Sequence, residues 1–320
     1  MCLVKAGPTP LSPSLDLSQS RLQSVFNNEH GELVTPYFRT YFRSIWNHRF
    51  SHYIEKVQNI VSVLELDGSQ VADLGCGFGI MAMEISILSN SFTVGVDADM
   101  EKIMVAETIA RNLQIPRVDF KRESIDSTTL EKGRFDAVIL NEVISHTPDI
   151  SALFREVSRL LRLGGRLMVN DSNNGANLAS MVKHHAAREK YESDFQQQRR
   201  QILRELGLNE ETARWLARFT RGMTRAQILD AAHNYLTLQK KPTPSSDVRD
   251  PNSGLYEERM FNPIAIRPTI SKFGFKARLC KPWYAPESKL RSAVAQLLLT
   301  THPLSVLIAP SYRIIATKVK

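Results

Sequence analysis

Little in this chain can staple, anchor or chelate. Its 320 residues hold three cysteines, Cys2, Cys76 and Cys280. They form neither a disulfide framework nor a zinc-type spacing, so a cytoplasmic location is expected. No His/Cys/Asp cluster has metal-ligand spacing, and no bound metal is expected. No apolar run reaches the roughly 18 residues of a membrane span. The opening Met1-Cys2-Leu3-Val4-Lys5-Ala6-Gly7-Pro8 lacks the apolar core of a signal peptide. Acids are the scarcer charge, 33 against 41 Lys and Arg, for a formal net charge of +8. That excess permits an anionic partner and demands none. Arg188, Arg199, Arg200, Arg204, Arg214, Arg218, Arg221 and Arg225 alternate with Glu189, Glu192, Glu205, Glu210 and Glu211. The alternation describes a solvated helix face better than a binding stripe. There is no recognisable RNA-binding module, so no nucleic-acid partner is expected.

What is present is ordinary in bulk and specific in one place. Hydrophobic residues make up 42% and charged residues 23%, as in a soluble globular protein. The length suits one large domain or a core with a lid. Val71-Ala72-Asp73-Leu74-Gly75-Cys76-Gly77-Phe78-Gly79 reads as a strand buried on both faces that runs into a glycine turn. Residues Ile80 to Leu88 then read as a helix, whose first amides face the turn. The spacing is G-x-G-x-G, with Ile80 in the place of the third glycine of a dinucleotide fingerprint. Asp73 precedes the turn, and its charge suits a ligand ammonium better than a pyrophosphate. A second strand, Ser91 to Val96, ends at Asp97-Ala98-Asp99. An acid there is placed to accept from both hydroxyls of a ribose, with about 1.5–3 kcal/mol for each hydrogen bond to a charged acceptor. The alternative is that Asp97 caps the helix Met100 to Leu113.

Two further segments complete a pattern. Phe135-Asp136-Ala137-Val138-Ile139-Leu140-Asn141-Glu142-Val143-Ile144-Ser145-His146 is a strand with a polar exit. Leu160-Leu161-Arg162-Leu163-Gly164-Gly165-Arg166-Leu167-Met168-Val169-Asn170-Asp171 is a helix end, a Gly-Gly turn and another strand. Together, residues 50–172 resemble a class I S-adenosylmethionine-dependent methyltransferase of the small-molecule type. The resemblance implies an α/β, Rossmann-like, seven-stranded mostly parallel sheet with helices on both faces and an antiparallel last strand. It implies S-adenosyl-L-methionine as cofactor. It places the methionine moiety on Asp73 and the Gly75, Cys76, Gly77 and Gly79 backbone, the ribose on Asp97 and the adenine against Ala98. Ser124 and Ile125 follow the third strand, where many relatives carry an adenine-binding Asp. Here either Ser124 or Asp126 takes that place. Asn141 and Glu142 end the fourth strand, close to where the methyl group should point.

The expected organisation is an N-terminal helical cap over 1–64, with a loose stretch over 1–20. A cofactor-binding core follows over 65–172, a helical lid over 173–262 and the rest of the core sheet over 263–320. The aromatics Tyr37, Phe38, Tyr41, Phe42, Trp46, Phe50 and Tyr53 approximate one helical face. In this family one or two such residues close over the cofactor. Lid helices are expected near 178–206, 209–219 and 223–237, and a linker over Lys241 to Asp247. The last strands are expected at Phe275 to Cys280 and Tyr312 to Thr317. Between them, Leu290 to Thr300 and Leu304 to Ile308 pack on the sheet or touch a membrane surface. A homodimer is the other partner considered.

Methyl transfer to a hydroxyl needs alignment at roughly 3–3.5 Å and a base. The candidate bases are His146, Asp171, His184, His185 and His233, of which His146 and Asp171 lie at strand ends facing the crevice. The expected activity is O-methylation of a sugar or glycan precursor or a secondary metabolite. The amides of Asn173-Asn174-Gly175-Ala176-Asn177 suit a hydroxylated acceptor, or serve the turn itself. The alternatives are C- or N-methylation of a lipid-like acceptor, and a non-catalytic cofactor-binding protein.

Overall fold

A computed structural model describes residues 22–27, 29–43, 50–173, 175–257, 259–280, 307, 309 and 311–320. The loose stretch 1–20, Trp46, the helix at 290–300 and most of 304–308 lie outside them. Seven strands form one sheet: β1 (Gln70–Leu74), β2 (Phe92–Asp97), β3 (Val118–Arg122), β4 (Phe135–Asn141), β5 (Leu161–Ser172), β6 (Phe275–Cys280) and β7 (Ser311–Lys318). Their order is β3-β2-β1-β4-β5-β7-β6. β1 to β5 pair in parallel, and β7 inserts antiparallel to both β5 and β6. The order reverses between β1 and β4, which opens a crevice at their carboxyl ends.

Burial explains the strands. Val71, Ala72, Leu74, Val138, Ile139 and Leu140 are fully enclosed, as expected where helices cover both faces of a parallel sheet. The helices come in chain order. Residues 22–26 (α1), Pro36–Tyr41 (α2) and Phe50–Leu64 (α3) precede the sheet. Ile80–Ser89 (α4), Met100–Asn112 (α5) and Ile150–Leu160 (α6) connect its strands. α4 is apolar almost all round because α3 and the N-terminal aromatics cover the side that the sheet does not. Asp149 caps α6, accepting from the Ser151 and Ala152 amides at 2.8 and 3.0 Å. The Gly-Gly segment is not a separate turn. β5 begins at Leu161, directly after α6, and Gly164 and Gly165 make an irregularity within it, where the register to β4 shifts.

Between β5 and β6 run Leu178–Glu205 (α7), Glu210–Phe219 (α8), Arg225–Leu238 (α9) and Pro263–Ser271 (α10). α7 to α9 build a small core of their own from Ile202, Leu203, Ala213, Leu216, Ala217, Ile228 and Ala232. Asn177, Asn209 and Thr224 cap them, the last in a capping box with Gln227. The expected linker ends at Asp247, and its last residues continue into a strap over 245–257 and 259–260. Its two limbs meet at the Arg249–Tyr256 bridge and where the Glu257 amide donates to the Val248 carbonyl at 2.9 Å.

Candidate active site

The glycine turn is laced to β2, since the Gly75 and Cys76 amides both donate to the Val96 carbonyl at 2.7 and 3.0 Å. All three glycines have positive φ: 78° at Gly75, 56° at Gly77 and 72° at Gly79. Their surroundings differ. A Cβ on Gly75 would meet Val143 at 2.5 Å, and one on Gly79 would meet Phe120 at 2.3 Å. One on Gly77 would meet nothing nearer than the Tyr41 hydroxyl at 3.7 Å. Gly77 is therefore the glycine that leaves room on the ligand side, while Gly75 and Gly79 let the chain pass its own core. The Cys76 thiol packs against Gly95, and burial pushes it well above its ordinary pKa.

Asp73 is 2% exposed, and its Oδ2 has no hydrogen-bond partner. Burial, aided by Asp97 and opposed by Lys56, pushes this carboxyl up to about 7. A buried acceptor left open beside a backbone cradle fits the ammonium of an amino-acid ligand. Asp97 holds the other side of the turn. Its Oδ2 accepts from the Gly77 amide and its Oδ1 from the Asp99 amide, both at 2.9 Å. The capping alternative for Asp97 does not hold, because Asp99 caps α5 by accepting from Glu101 and Lys102 amides. Ala98 is exposed at the mouth, and Ser124, also exposed, donates to Asp126 at 2.7 Å. Ser124 and Asp126 thus form one polar group, while Ile125 packs against the sheet core. Asn141 accepts from the Asn170 amide group at 3.1 Å. Glu142 sits at φ 59°, ion-paired to Lys56 at 3.5 Å. Left-handed backbone costs a non-glycine residue about 1–2 kcal/mol, and functional sites are where such strain concentrates.

Two residues at this site, Lys56 and Lys102, have no counterpart in the sequence reasoning, whereas Tyr41 is among the aromatics expected to close over the cofactor. Lys56 reaches it from α3. Tyr41 on α2 overlies Gly77, and Lys102 on α5 lies 5.6 Å from the Tyr41 ring. Lys56 adjoins the buried stripe Val57, Ile60 and Leu64, and a cation beside an apolar face is the signal that marks it. The N-terminal aromatics Phe38, Phe42 and Phe50 form core, while Tyr37 and Tyr41 stay exposed at the crevice.

The strap brings in the rest. His146 Nδ1 lies 3.0 Å from the Tyr256 carbonyl. A carbonyl only accepts, so Nδ1 carries the proton and the lone pair of the neutral ring sits on Nε2. The Tyr256 ring is held between the guanidiniums of Arg249 and Arg259, at 4.7 and 4.4 Å. Asp171 is 2% exposed, and burial pushes its carboxyl up to about 6. It accepts from the Ser145 amide at 3.2 Å, the Ser145 hydroxyl at 3.1 Å and the Ser172 amide at 2.8 Å. It therefore pins the loop that presents His146. His184 and His185 lie on α7 and His233 on the exposed face of α9, all in the lid. The Asn173–Asn177 amides serve the turn. Asn173 and Asn177 both donate to the Ala309 carbonyl, at 2.8 and 3.2 Å, and Asn177 also caps α7. Asn174 lies outside the described residues. Among the described residues no group of three or more His, Cys, Asp or Glu side chains is placed to hold a metal, and no helix is long and apolar enough to cross a membrane.

Residues 65–220 match the family model described as a methyltransferase domain. These residues therefore carry a methyltransferase domain, similar to that of the class I S-adenosylmethionine-dependent methyltransferases. Among the curated relatives, a ubiquinone biosynthesis O-methyltransferase from Xanthomonas oryzae pv. oryzae (strain PXO99A) is 33% identical over 111 residues, 34% of this chain and 46% of that one. One of the same description from Albidiferax ferrireducens is 31% identical over 107 residues, 33% of this chain and 42% of that one. The chain thus spans less than half the length of these relatives. Among solved structures, the PH0226 protein from Pyrococcus horikoshii OT3 superposes with a TM-score of 0.48 at 16% identity, covering 87% of this chain and 98% of that one.

Proposed function

We propose that this chain transfers a methyl group from S-adenosylmethionine to a hydroxyl of a small-molecule acceptor, with His146 as the base. The observation that carries the reading is the tautomer imposed on His146 by the Tyr256 carbonyl, in the loop that follows β4. The cofactor, when bound, supplies an electrophilic methyl on a sulfonium. Asp73 takes its ammonium and Asp97 the ribose hydroxyls. Ala98 and the Ser124–Asp126 pair border the adenine, and Asn141 and Glu142 flank the methyl. Nε2 of His146 receives the acceptor proton, and Asp171 acts through Ser145 to hold that loop in place. The names of the curated relatives support O-methylation. A sugar acceptor has lost the support of the Asn173 and Asn177 amides, which are spent on Ala309. His146→Gln should lower kcat about a hundredfold while leaving cofactor affinity within about twofold. The assay is transfer of labelled methyl to extracts of the producing cell. Wild-type protein that binds cofactor tightly yet labels nothing would favour a non-catalytic binding protein.

Asp73 makes a second measurable claim. Its carboxyl titrates near 7 without ligand, against an ordinary value near 4. Between those values the folded chain holds a proton that the unfolded chain has released. Stability from this group therefore falls as pH rises toward 7, and the loss is complete above it. A bound ammonium reverses the preference and draws the proton off. Cofactor affinity should rise from pH 5.5 to about 7 and then level. Calorimetry at pH 6 in two buffers of different ionisation heat should show proton release, absent in Asp73→Asn. Proton uptake, or a flat profile, would remove the ammonium from Asp73.

A further inference from the structure

The lid contains a cavity of about 280 Å³, lined by His185, Arg188, Glu189, Arg221, Ser246 and Met260. At that size it holds one group of a substrate rather than a drug-sized molecule. Arg188 is 7% exposed, and its Nε has no hydrogen-bond partner. One of its terminal nitrogens donates to the Ser246 carbonyl at 3.1 Å but stands 3.6 Å from Asp247, too far for a hydrogen bond. Arg221 repeats this arrangement. It donates to Glu189 at 2.7 Å, while its Nε lies 3.7 Å from Glu192 without a hydrogen bond. Glu192 is already the partner of the fully buried Arg199. Arg259 approaches Asp247 at 4.0 Å. Among these side chains four guanidiniums share three carboxylates, so one positive charge is uncompensated. Buried guanidinium N–H groups without acceptors are costly unless something fills them.

The strap that lines the cavity is also tied to the loop that carries His146. The strap that supplies Ser246, Asp247 and Met260 also supplies Arg259. The Arg259 amide donates to the Ser145 carbonyl at 3.0 Å and its guanidinium to the Thr147 carbonyl at 2.7 Å. The same strap carries the Tyr256 carbonyl that orients His146.

We propose that this cavity is an oxyanion subsite of the acceptor pocket, where Arg188 and Arg221 take a carboxylate or phosphate group of the molecule to be methylated. The oxyanion displaces the loosely held Asp247 from Arg188 and supplies the acceptor that both Nε–H groups lack. Paired guanidiniums suit such a group because their planar forks match two oxygens at once. The inference rests on the proposed methyl transfer only for what the oxyanion belongs to.

The test uses the full chain without acceptor. Sodium phosphate and sodium acetate are titrated separately at constant ionic strength, with chloride making up the balance, and Tm is followed. Wild-type protein should show a saturable rise in Tm with at least one of them. Arg221→Gln and Arg188→Gln should each weaken that response about tenfold and leave S-adenosylmethionine affinity, measured by calorimetry, unchanged. Arg188 is buried, so if its variant does not fold, the half-exposed Arg221 decides. A response to phosphate alone assigns a phosphorylated acceptor, and a response to acetate assigns a carboxylated one. No saturable response in wild type, or an undiminished one in Arg221→Gln, overturns the subsite. Loss of cofactor binding in wild type would instead overturn the methyl-transfer reading and leave the anion result standing.

Discussion

Gly79→Ala should cost this protein about 2–5 kcal/mol, a large share of the roughly 5–15 kcal/mol that holds a domain together. Two effects add. The residue sits at φ 72°, where a Cβ costs about 1–2 kcal/mol. The new methyl would also stand 2.3 and 2.5 Å from the Phe120 ring and 2.9 Å from Ala106. Phe120 belongs to β3 and Ala106 to α5, and both are buried, so neither can swing away. Overpacking of that kind costs about 1–3 kcal/mol. Gly133→Ala separates the two effects. Gly133 has φ 69° but nothing within 4 Å of its added Cβ, so only the backbone cost of about 1–2 kcal/mol applies. Urea denaturation of both variants reads the difference directly. Equal losses would mean that the contact with Phe120 relaxes freely.

Asp97→Ala should weaken S-adenosylmethionine binding about a thousandfold while changing stability by roughly 1 kcal/mol. The carboxylate joins the Gly77 amide to the Asp99 amide, so its removal frees the middle of the glycine turn as well as the ribose. Two hydrogen bonds to a charged acceptor contribute about 1.5–3 kcal/mol each, which converts to two to four powers of ten in affinity. Asp97→Asn keeps one oxygen acceptor and should fall between. Calorimetry on the three proteins settles the order. Wild-type affinity in Asp97→Ala would withdraw the ribose from this residue.

The parts of the molecule that were legible from residue order are those where local pattern and global packing agree. β1 and β4 are covered on both faces, and their unbroken apolar runs say so. β6 is bounded at Phe275 and Cys280 by Gly274 before it, as its sequence implies. Asp73 and the glycines are read from spacing because a turn that feeds a helix is a local object. Lys56, Tyr41, Tyr256 and Arg259 are not local. They come from three elements outside the G-x-G-x-G segment and meet it only through the fold. Tyr256 in particular acts through its carbonyl, which no side-chain pattern can announce. The Asn173–Asn177 amides misled for the converse reason. Their chemistry suits a ligand, but Ala309, distant in sequence, lies close enough to take them. Asp97 and Asp99 show how near the alternatives stand: two positions apart, Asp99 caps α5 while Asp97 braces the glycine turn and is left for the proposed ribose contact.

The strap and α7 leave the sheet and return to it through one narrow place. Gly175 stands so close to Phe261 that a Cβ there would lie 2.3 Å from its backbone carbon. Everything between, α7 to α9 and the strap, is a single excursion with one doorway, and it has a core of its own. The proposed acceptor-side residues Arg188, Arg221 and Tyr256 lie inside this excursion and the proposed donor-side residues Asp73 and Asp97 outside it, and the boundary falls at a glycine that has no room for a side chain.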